Sequence, residues 1–328
     1  MKLLCYGVRA TEVPFFEAMN ENYNYELVLT PHFLNDESVH LAKGCDAVML
    51  RGNCPADAKN LDIFKSYGID YVITRTAGYN HIDLEHAKAN GQKVAYVPFY
   101  SPNAVAELSV SLALSLARHI QYTADRTHRG NFGIDEFMFS KEIRKSTVGI
   151  IGLGRIGFTA AQLYKGLGAN VIGYDVEEKN YLGDTCTQVS LETLLKESDI
   201  ISIHTPYFKG SNDEFINKDK ITMMKDGVIL VNVSRGEVQN IDDILDAVES
   251  GKIHGFATDV LKGEAAFFNK EVNMESTPLL SRLSSLYPRV IVTPHVGSYT
   301  DEAVSNMVEV SYENLKELVE TGSSKNQL

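Results

Sequence analysis

The sequence predicts an α/β protein with two doubly wound domains, each built on a parallel sheet. Short apolar segments typical of buried strands alternate with helix-like segments along almost the whole chain, and this alternation indicates βαβ units. It occurs in two successive series, separated by one long helical stretch. The length of 328 residues also exceeds what one hydrophobic core usually serves, so we expect two domains.

The first series fills residues 1 to 100. Its predicted strands are KLLCYG, YELVLT, DAVMLRG, IDYVITR and KVAYVP. Helices are expected at TEVPFFEAMNEN, near residues 36 to 43, at PADAKNLDIFKSYG and at DLEHAKANG, whose glycine is a typical helix stop. A single long helix is then predicted from about Asn103 to His128, because Ala, Leu and Val recur at helical spacing and Pro102 suits a helix start.

The second series has six strand-like segments, most of them followed by a helix-like segment. They are STVGIIGLG, ANVIGYDV, SDIISIHTP, GVILVNVSRG, KIHGFATDV and RVIVTPHVG. A last helix is predicted over TDEAVSNMVEVSYENLKELVETG, which carries Val304, Met307, Val308 and Leu315 on one side. We expect the tail SSKNQL to be frayed.

Composition, charge and cysteine usage favour a soluble, cytoplasmic protein. The net charge of -12 argues against nucleic acid or an anionic membrane as the main partner, because both attract basic surfaces. No segment approaches the ~20 apolar residues that span a bilayer, and the first apolar stretch is too short for a signal peptide. The four cysteines show no CxxC pair, so we expect buried thiols in a reducing compartment.

A glycine motif in the second series predicts dinucleotide binding. Gly152, Gly154 and Gly157 form G-x-G-x-x-G between an apolar strand and a helix, where a pyrophosphate can approach the backbone and the helix amides closely. Asp175 ends the next strand, 18 residues after Gly157, where a carboxylate can accept a hydrogen bond from a ribose 2′-hydroxyl. A carboxylate there repels a 2′-phosphate, so NAD is expected rather than NADP. The alternative is that Asp175 is only a solvated turn residue.

Charged side chains follow three of the later strands and suggest a reaction. Arg235, Glu264 and His295 lie far apart in sequence, yet the carboxyl ends of parallel strands share one sheet edge, where ligands bind. A protonated histidine can give a proton to a carbonyl oxygen, a carboxylate beside it favours that form, and an arginine can clamp a substrate carboxylate. Together they suit reduction of a 2-oxo acid by a nicotinamide. The alternatives are a structural ion pair for Arg235, a histidine satisfied by backbone groups and a solvated Glu264.

At this point the sequence resembles the D-isomer-specific 2-hydroxyacid dehydrogenases over essentially its whole length. The resemblance is carried by GLGRIG, MKDGVILVNVSRGEV, GFATDVLKGE, VIVTPHVGSYTDEAV, TRTAGYNHID and YSPNAVAEL. It implies Arg235 as the substrate clamp, Glu264 as the partner of the acid and His295 as the proton donor and acceptor. It also implies substrate contacts from the amides of Ala77 and Gly78, with Tyr100 nearby. The further NAD contacts that it implies are Arg155, Ile156, Thr205, Pro206, Asn212, Val233, Ser234 and Asp259.

The same resemblance implies how the domains are arranged in the sequence. The substrate domain would be discontinuous, with residues 1–100 and 299–328, and the Rossmann-fold NAD domain would cover residues 101–298, with the active site in an interdomain cleft. Family members are commonly homodimers joined through the NAD domains, with the long helix after Pro102 in the contact. The alternative, that this helix is mainly intrachain core, stays open.

Within the family, MLRGNC and HVGSYT look most like (R)-2-hydroxyglutarate dehydrogenase, with D-lactate and D-2-hydroxyisocaproate dehydrogenases next. Arg51 follows the strand DAVML, so we expect it to recognise a second carboxylate, with a hydrogen bond from Ser298. Phe99 favours apolar substrates instead. The alternative for Arg51 is exposure to solvent or pairing with an acidic neighbour.

Two other classes of function remain open from the sequence. A non-catalytic NAD-sensing protein, such as a corepressor on this fold, could retain the same three polar residues, although the chain lacks long low-complexity tails. A metal enzyme is the other. The histidine pairs that could serve it, His81 with His86 and His119 with His128, show neither an HExxH motif nor a carboxylate cluster, so we expect no metal.

Overall fold

The computed structural model describes residues 1–328 and divides into two compact units. The first unit comprises Met1–Ser101 and Tyr299–Leu328, and the second comprises Pro102–Ser298. Each contains one parallel sheet with helices, so the predicted doubly wound α/β fold is confirmed. No helix of the chain is both long enough and apolar enough to cross a membrane.

The first unit is built on a five-stranded sheet in the order β2-β1-β3-β4-β5, with all neighbouring strands parallel. Its strands are rich in Val, Leu and Ile because both faces are covered, and the central strand β3 is buried at every position. The strands are β1 (Lys2–Cys5), β2 (Glu26–Leu29), β3 (Ala47–Leu50), β4 (Tyr71–Thr74) and β5 (Lys93–Ala95).

Four helices accompany this sheet, and three begin at a side chain that caps the first turn. Asp57, Asp83 and Thr300 each accept a hydrogen bond from the backbone N–H three residues later, which satisfies an amide that the helix cannot pair. The C-terminal helix packs its buried face on the first helix and the end of the sheet. The helices are α1 (Val13–Asn20), α2 (Ala58–Ser66), α3 (Leu84–Ala89) and the C-terminal helix (Asp301–Thr321).

The second unit has a seven-stranded parallel sheet in the order β12-β11-β10-β9-β6-β7-β8. The strands are β6 (Thr147–Ile151), β7 (Asn170–Tyr174), β8 (Thr187–Gln188), β9 (Ile200–Ile203), β10 (Val228–Asn232), β11 (Ile253–Thr258) and β12 (Val290–Val292). The helices are α4 (Pro102–Ala117), α5 (Ile120–His128), α6 (Arg155–Gly166), α7 (Leu191–Glu197), α8 (Lys218–Met223), α9 (Ile241–Ser250) and α10 (Pro278–Ser285).

The strand order of the second unit decides where its functional side chains lie. Strands β7 and β8 are added on one side of β6 and β9 to β12 on the other, so the strand order reverses between β6 and β9, the switch point at which ligands of such folds bind. The neighbouring strands β10, β11 and β12 are parallel, so their carboxyl ends lie side by side at one edge.

The single long helix predicted over 103–128 is wrong. The chain forms α4 and α5 instead, because His119 adopts a left-handed conformation with φ 52° and ends the helical path. The ring of His119 packs 4.5 Å from the ring of Phe137 and 5.0 Å from that of His254, centroid to centroid. These contacts offset the cost of a left-handed non-glycine residue, about 1–2 kcal/mol.

Three smaller expectations also differ from the structure. The tail is not frayed, since the Leu328 N–H donates to the carbonyl of Val94 (2.9 Å) and Gln327 pairs with Ala95. The helix expected near 36–43 is only a 3-10 turn over Val39–Ala42. Strand β8 was not predicted, because two residues are too short to show a period.

Candidate active site

The glycine motif forms a tight turn between β6 and α6 that no larger residue could make. Gly152 has φ 91°, and a Cβ there would lie 2.8 Å from the backbone of His204. A Cβ on Gly157 would lie 1.9 Å from the carbonyl oxygen of Gly152. Nothing surrounds the same position at Gly154, which leaves the backbone open to a ligand. The turn therefore fits a pyrophosphate at the start of α6.

Asp175 holds the glycine turn from the end of β7. Its Oδ2 accepts a hydrogen bond from the Leu153 N–H (2.8 Å), and its Oδ1 accepts one from the Glu177 N–H (3.0 Å). The carboxylate is thus a fixed part of the site and not a solvated turn residue. Its remaining lone pairs suit the ribose hydroxyls of a dinucleotide, so the residues present fit the NAD that the motif implies.

The other expected cofactor contacts occupy the same edge of the sheet. Asn212 shapes the loop after β9, because its Oδ1 accepts from the Phe208 N–H and its Nδ2 donates to the Pro206 carbonyl, both at 2.7 Å. Ser234 is held by Asn232, whose Oδ1 accepts from the Ser234 amide (2.9 Å) and hydroxyl (2.8 Å). Arg155 and Ile156 begin α6, Thr205 follows β9, and Val233 follows β10.

His295 and Glu264 are brought together from neighbouring strands. The Nδ1 of His295, beyond β12, lies 2.5 Å from the Oε1 of Glu264, beyond β11. The other carboxylate oxygen accepts from the Leu261 N–H (2.9 Å), which fixes the orientation of Glu264. The ring is thereby oriented, and its Nε2 is left without a partner in this unit. A side chain bonded at one ring nitrogen and open at the other can donate or accept a proton there.

Arg235 follows β10, and its turn packs against the loop that carries Glu264. A Cβ on Gly236 would be 2.2 Å from the backbone nitrogen of Lys262, so the arginine's turn is packed directly on that segment. The Nη1 of Arg235 donates to the Ser234 carbonyl (2.7 Å), and no protein carboxylate forms an ion pair with it. The alternative in which Arg235 forms a structural ion pair is therefore not what the structure shows.

Asp259 has a role that the sequence did not indicate. Its side chain is 1% exposed. Its Oδ1 accepts from the Thr293 hydroxyl (2.6 Å) and the Val296 N–H (2.9 Å), and its Oδ2 accepts from the Gly297 N–H (2.8 Å). Burial raises the pKa of Asp259, and these hydrogen bonds oppose that rise. The carboxylate thus holds both sides of the loop on which His295 sits with a left-handed φ of 54°, and the expected NAD contact of Asp259 stays a prediction.

In the first unit, the loop after β4 offers backbone donors. The amides of Ala77 and Gly78 donate no hydrogen bond within the protein, although both residues are partly buried. The Thr76 hydroxyl donates to the Gly78 carbonyl (2.7 Å), which fixes the turn of the loop. Tyr100, expected nearby, is tied by its carbonyl to the Asn306 amide (2.8 Å). Two adjacent unpaired amides suit a carboxylate.

Arg51 lies in a cluster of three arginines around one carboxylate in the first unit. Its Nη1 is 3.7 Å from the Oε1 of Glu12, so the alternative of an acidic neighbour is what the structure shows. Glu12 is buried and also pairs with Arg9 (3.7 Å) and Arg75 (3.4 Å). Burial lowers the pKa of Arg51 to about 10, with repulsion by Arg75 as the next cause.

Sequence reasoning missed three members of this cluster: Arg9, Glu12 and Arg75. Arg75 gave the signal already used for Arg235, since it directly follows a buried strand, and it is itself fully buried. Ser298, expected to assist Arg51, is partly buried and its hydroxyl has no hydrogen-bond partner within the second unit.

Comparisons with known proteins agree with this geometry. The family model for "D-isomer specific 2-hydroxyacid dehydrogenase, NAD binding domain" matches residues 110–297. The chain belongs to this family. It is 41% identical over its whole length to an aromatic 2-oxoacid reductase of Clostridium sporogenes, 99% of which is covered, and 37% identical over both full lengths to a D-2-hydroxyacid dehydrogenase (NAD(+)) of Clostridioides difficile.

A solved structure also matches this chain over almost the full length of both proteins. The crystal structure of a D-lactate dehydrogenase from Treponema pallidum superposes with a TM-score of 0.90 at 32% identity, covering 100% of this chain and 99% of that one. The protein is therefore an NAD-dependent oxidoreductase of the D-2-hydroxyacid dehydrogenase class, with NAD as its cofactor. None of the relatives named here is described as a non-catalytic NAD sensor.

Proposed function

We propose that this enzyme reduces 2-oxoglutarate to (R)-2-hydroxyglutarate. The observation that carries the proposal is the excess positive charge of the arginine cluster in the first unit. Three guanidinium groups, those of Arg9, Arg51 and Arg75, surround the single carboxylate of Glu12. The cluster therefore carries a net formal charge of +2, and Arg51 and Arg75 place it at the carboxyl ends of β3 and β4.

Arg51 is the member of the cluster that suits a second substrate carboxylate. Its side chain is 19% exposed, whereas Arg75 is fully buried and donates to the carbonyls of Tyr6 and Gly7. The Nη1 of Arg51 has no hydrogen bond, although it is itself buried. A buried guanidinium without full pairing is unfavourable, and an incoming carboxylate would offset that cost.

The residues of the site have distinct roles in this reaction. Bound NADH supplies a hydride to the carbonyl carbon. We assign the carboxylate next to that carbon to Arg235 and to the amides of Ala77 and Gly78. Protonated His295 donates from Nε2 to the carbonyl oxygen as negative charge develops there, and Glu264 holds the ring through Nδ1. The overall change consumes one 2-oxo acid, one NADH and one proton.

A second candidate substrate class is the aromatic and branched 2-oxo acids, such as phenylpyruvate and 2-oxoisocaproate, with pyruvate beside them. Phe99 favours this class, since its side chain is 55% exposed in the first unit. The Clostridium sporogenes relative, named an aromatic 2-oxoacid reductase, also favours it. The difference between the candidates is the charge at the far end of the substrate.

Arg51→Leu tests the proposal. One charge-assisted hydrogen bond contributes about 1.5–3 kcal/mol, so kcat/KM for 2-oxoglutarate should fall about 10- to 100-fold. The kcat/KM for 2-oxoisocaproate should stay the same or rise. Arg129→Leu is the matched control, because that arginine is exposed and pairs only with Asp125 in the same helical segment. An equal loss on both substrates would refute the role of Arg51.

Three further assignments belong to this proposal. We assign NAD binding to residues 102–298, supported by the matched family model, and substrate binding to the first unit. We assign a homodimer formed through the second unit, supported by Phe132, Ile134 and Phe139, which are 78%, 90% and 91% exposed after α5. Light scattering of the wild type and of Phe139→Ser tests the dimer. Four buried free cysteines support a cytoplasmic location.

A further inference from the structure

A lysine lies beside the carboxylate that is expected to bind the ribose of NAD. The Nζ of Lys179 is 3.5 Å from the Oδ1 of Asp175 and 2.7 Å from the Oε2 of Glu177. Its side chain is only 16% exposed, and the ammonium group is held by both carboxylates. The acid that excludes a 2′-phosphate therefore has a cation next to it.

The backbone keeps Lys179 in this place. The Lys179 N–H donates to the Oε1 of Gln188 (3.0 Å), and the Nε2 of Gln188 donates to the carbonyl of Glu177 (2.8 Å). Gln188 belongs to β8, which pairs with β7, the strand that Asp175 directly follows. The turn between Asp175 and Lys179 is thus fastened to the edge of the sheet, and the lysine side chain starts from a fixed point.

There is also room for a larger group at this turn. An open recess of about 460 Å³ borders this turn and is lined by Glu178, Lys179, Asn180, Leu182, Gly183, Cys186 and Gln188. The hydrogen bond to Glu177 raises the pKa of Lys179, so the ammonium is charged at neutral pH. A charged donor beside an open recess can give a charge-assisted hydrogen bond to a phosphate group.

We propose that Lys179 sets how strongly this enzyme discriminates between NADH and NADPH. Asp175 repels the 2′-phosphate and at the same time occupies Lys179. Once the Asp175 carboxylate is removed, the ammonium group keeps only Glu177 as a partner, and because that side chain is 75% exposed the pair is weak enough for the ammonium to bind the phosphate. Lys179 would then be a specificity residue of the cofactor site, and the role does not depend on which 2-oxo acid is reduced.

The experiment compares wild type, Asp175→Ser, Lys179→Met and the double variant. For each, kcat/KM is measured with NADPH and with NADH at one saturating 2-oxo acid, and the readout is the ratio of the two. Asp175→Ser should raise this ratio. Adding Lys179→Met should lower it again by about 10- to 100-fold, the range of one charge-assisted hydrogen bond. Lys165→Met, at an exposed lysine in the last turn of α6, is the matched control.

Two further comparisons separate binding from structure. Lys179→Arg in the Asp175→Ser background should keep the raised ratio, because the charge is kept. If Lys179 only shapes the turn, Lys179→Met should weaken both cofactors equally and leave the ratio unchanged. A double variant that uses NADPH as well as Asp175→Ser does would overturn the proposal.

Discussion

The replacement Asp259→Asn tests whether the loop of His295 depends on one buried carboxylate. The carboxylate accepts three hydrogen bonds, from the Thr293 hydroxyl and from the amides of Val296 and Gly297. An asparagine has one acceptor oxygen. If that oxygen keeps the two donors of Oδ1, the new NH₂ group must face the Gly297 N–H, and donor opposes donor.

The magnitude follows from these contacts. A hydrogen bond to a charged group contributes about 1.5–3 kcal/mol, and the variant loses at least one of them. The loop also carries His295 in a left-handed conformation, which costs about 1–2 kcal/mol and needs support from its surroundings. If the loss appears in the placement of His295, kcat falls about 10- to 100-fold, at about 1.4 kcal/mol for each factor of ten.

The assay is NADH oxidation at saturating 2-oxo acid, together with the Kd of NADH from its fluorescence. We expect a reduced kcat with a nearly unchanged Kd, because the carboxylate is enclosed by the protein. Asp226→Asn is the control, since Asp226 is exposed and pairs only with Lys252. An unchanged kcat with a raised Kd would refute this role and would favour the expected NAD contact of Asp259 instead.

Two other predictions concern histidines. His295→Ala should lower kcat by about 10²-fold or more, the usual scale for a positioned proton-transfer group, and leave the Kd of NADH close to the wild-type value; near wild-type turnover would remove His295 from the role. Burial lowers the pKa of His81 to about 4. The folded protein then binds fewer protons than the unfolded chain between pH 6.5 and 4, so the free energy of unfolding should decrease by up to about 1.4 kcal/mol per pH unit as pH falls through this window. Urea unfolding followed by circular dichroism at pH 7 and 5 should show a smaller decrease in His81→Gln, and equal decreases would contradict this.

The sequence predicted which side chains share one edge of the second sheet, because a parallel sheet leaves little choice. Arg235, Glu264 and His295 each follow a strand-like segment, and once those strands are parallel neighbours their carboxyl ends must lie side by side. The pairing of Glu264 with His295 could be anticipated from chemistry. The glycine turn was equally readable, since Gly152 and Gly157 occupy positions with no space for a Cβ.

Contacts between segments distant in sequence were not readable. The Glu12 carboxylate meets Arg51 and Arg75 only when the start of α1 comes close to the residues that follow β3 and β4, and no sequence periodicity shows that. Asp259 was placed correctly at a strand end, but its partners lie beyond the next strand along the chain. His119 interrupts a strong helical pattern because its ring contacts residues far from it in sequence.

The most direct test of the proposed preference for 2-oxoglutarate is a comparison of substrates with the wild-type enzyme. NADH oxidation is measured with 2-oxoglutarate, pyruvate, 2-oxoisocaproate and phenylpyruvate, and the product of each reaction is resolved by chiral chromatography. We expect the highest kcat/KM for 2-oxoglutarate, with the (R)-2-hydroxy acid as the product. A far higher value for phenylpyruvate or 2-oxoisocaproate would contradict it and would identify Phe99, not Arg51, as the side chain that decides substrate choice.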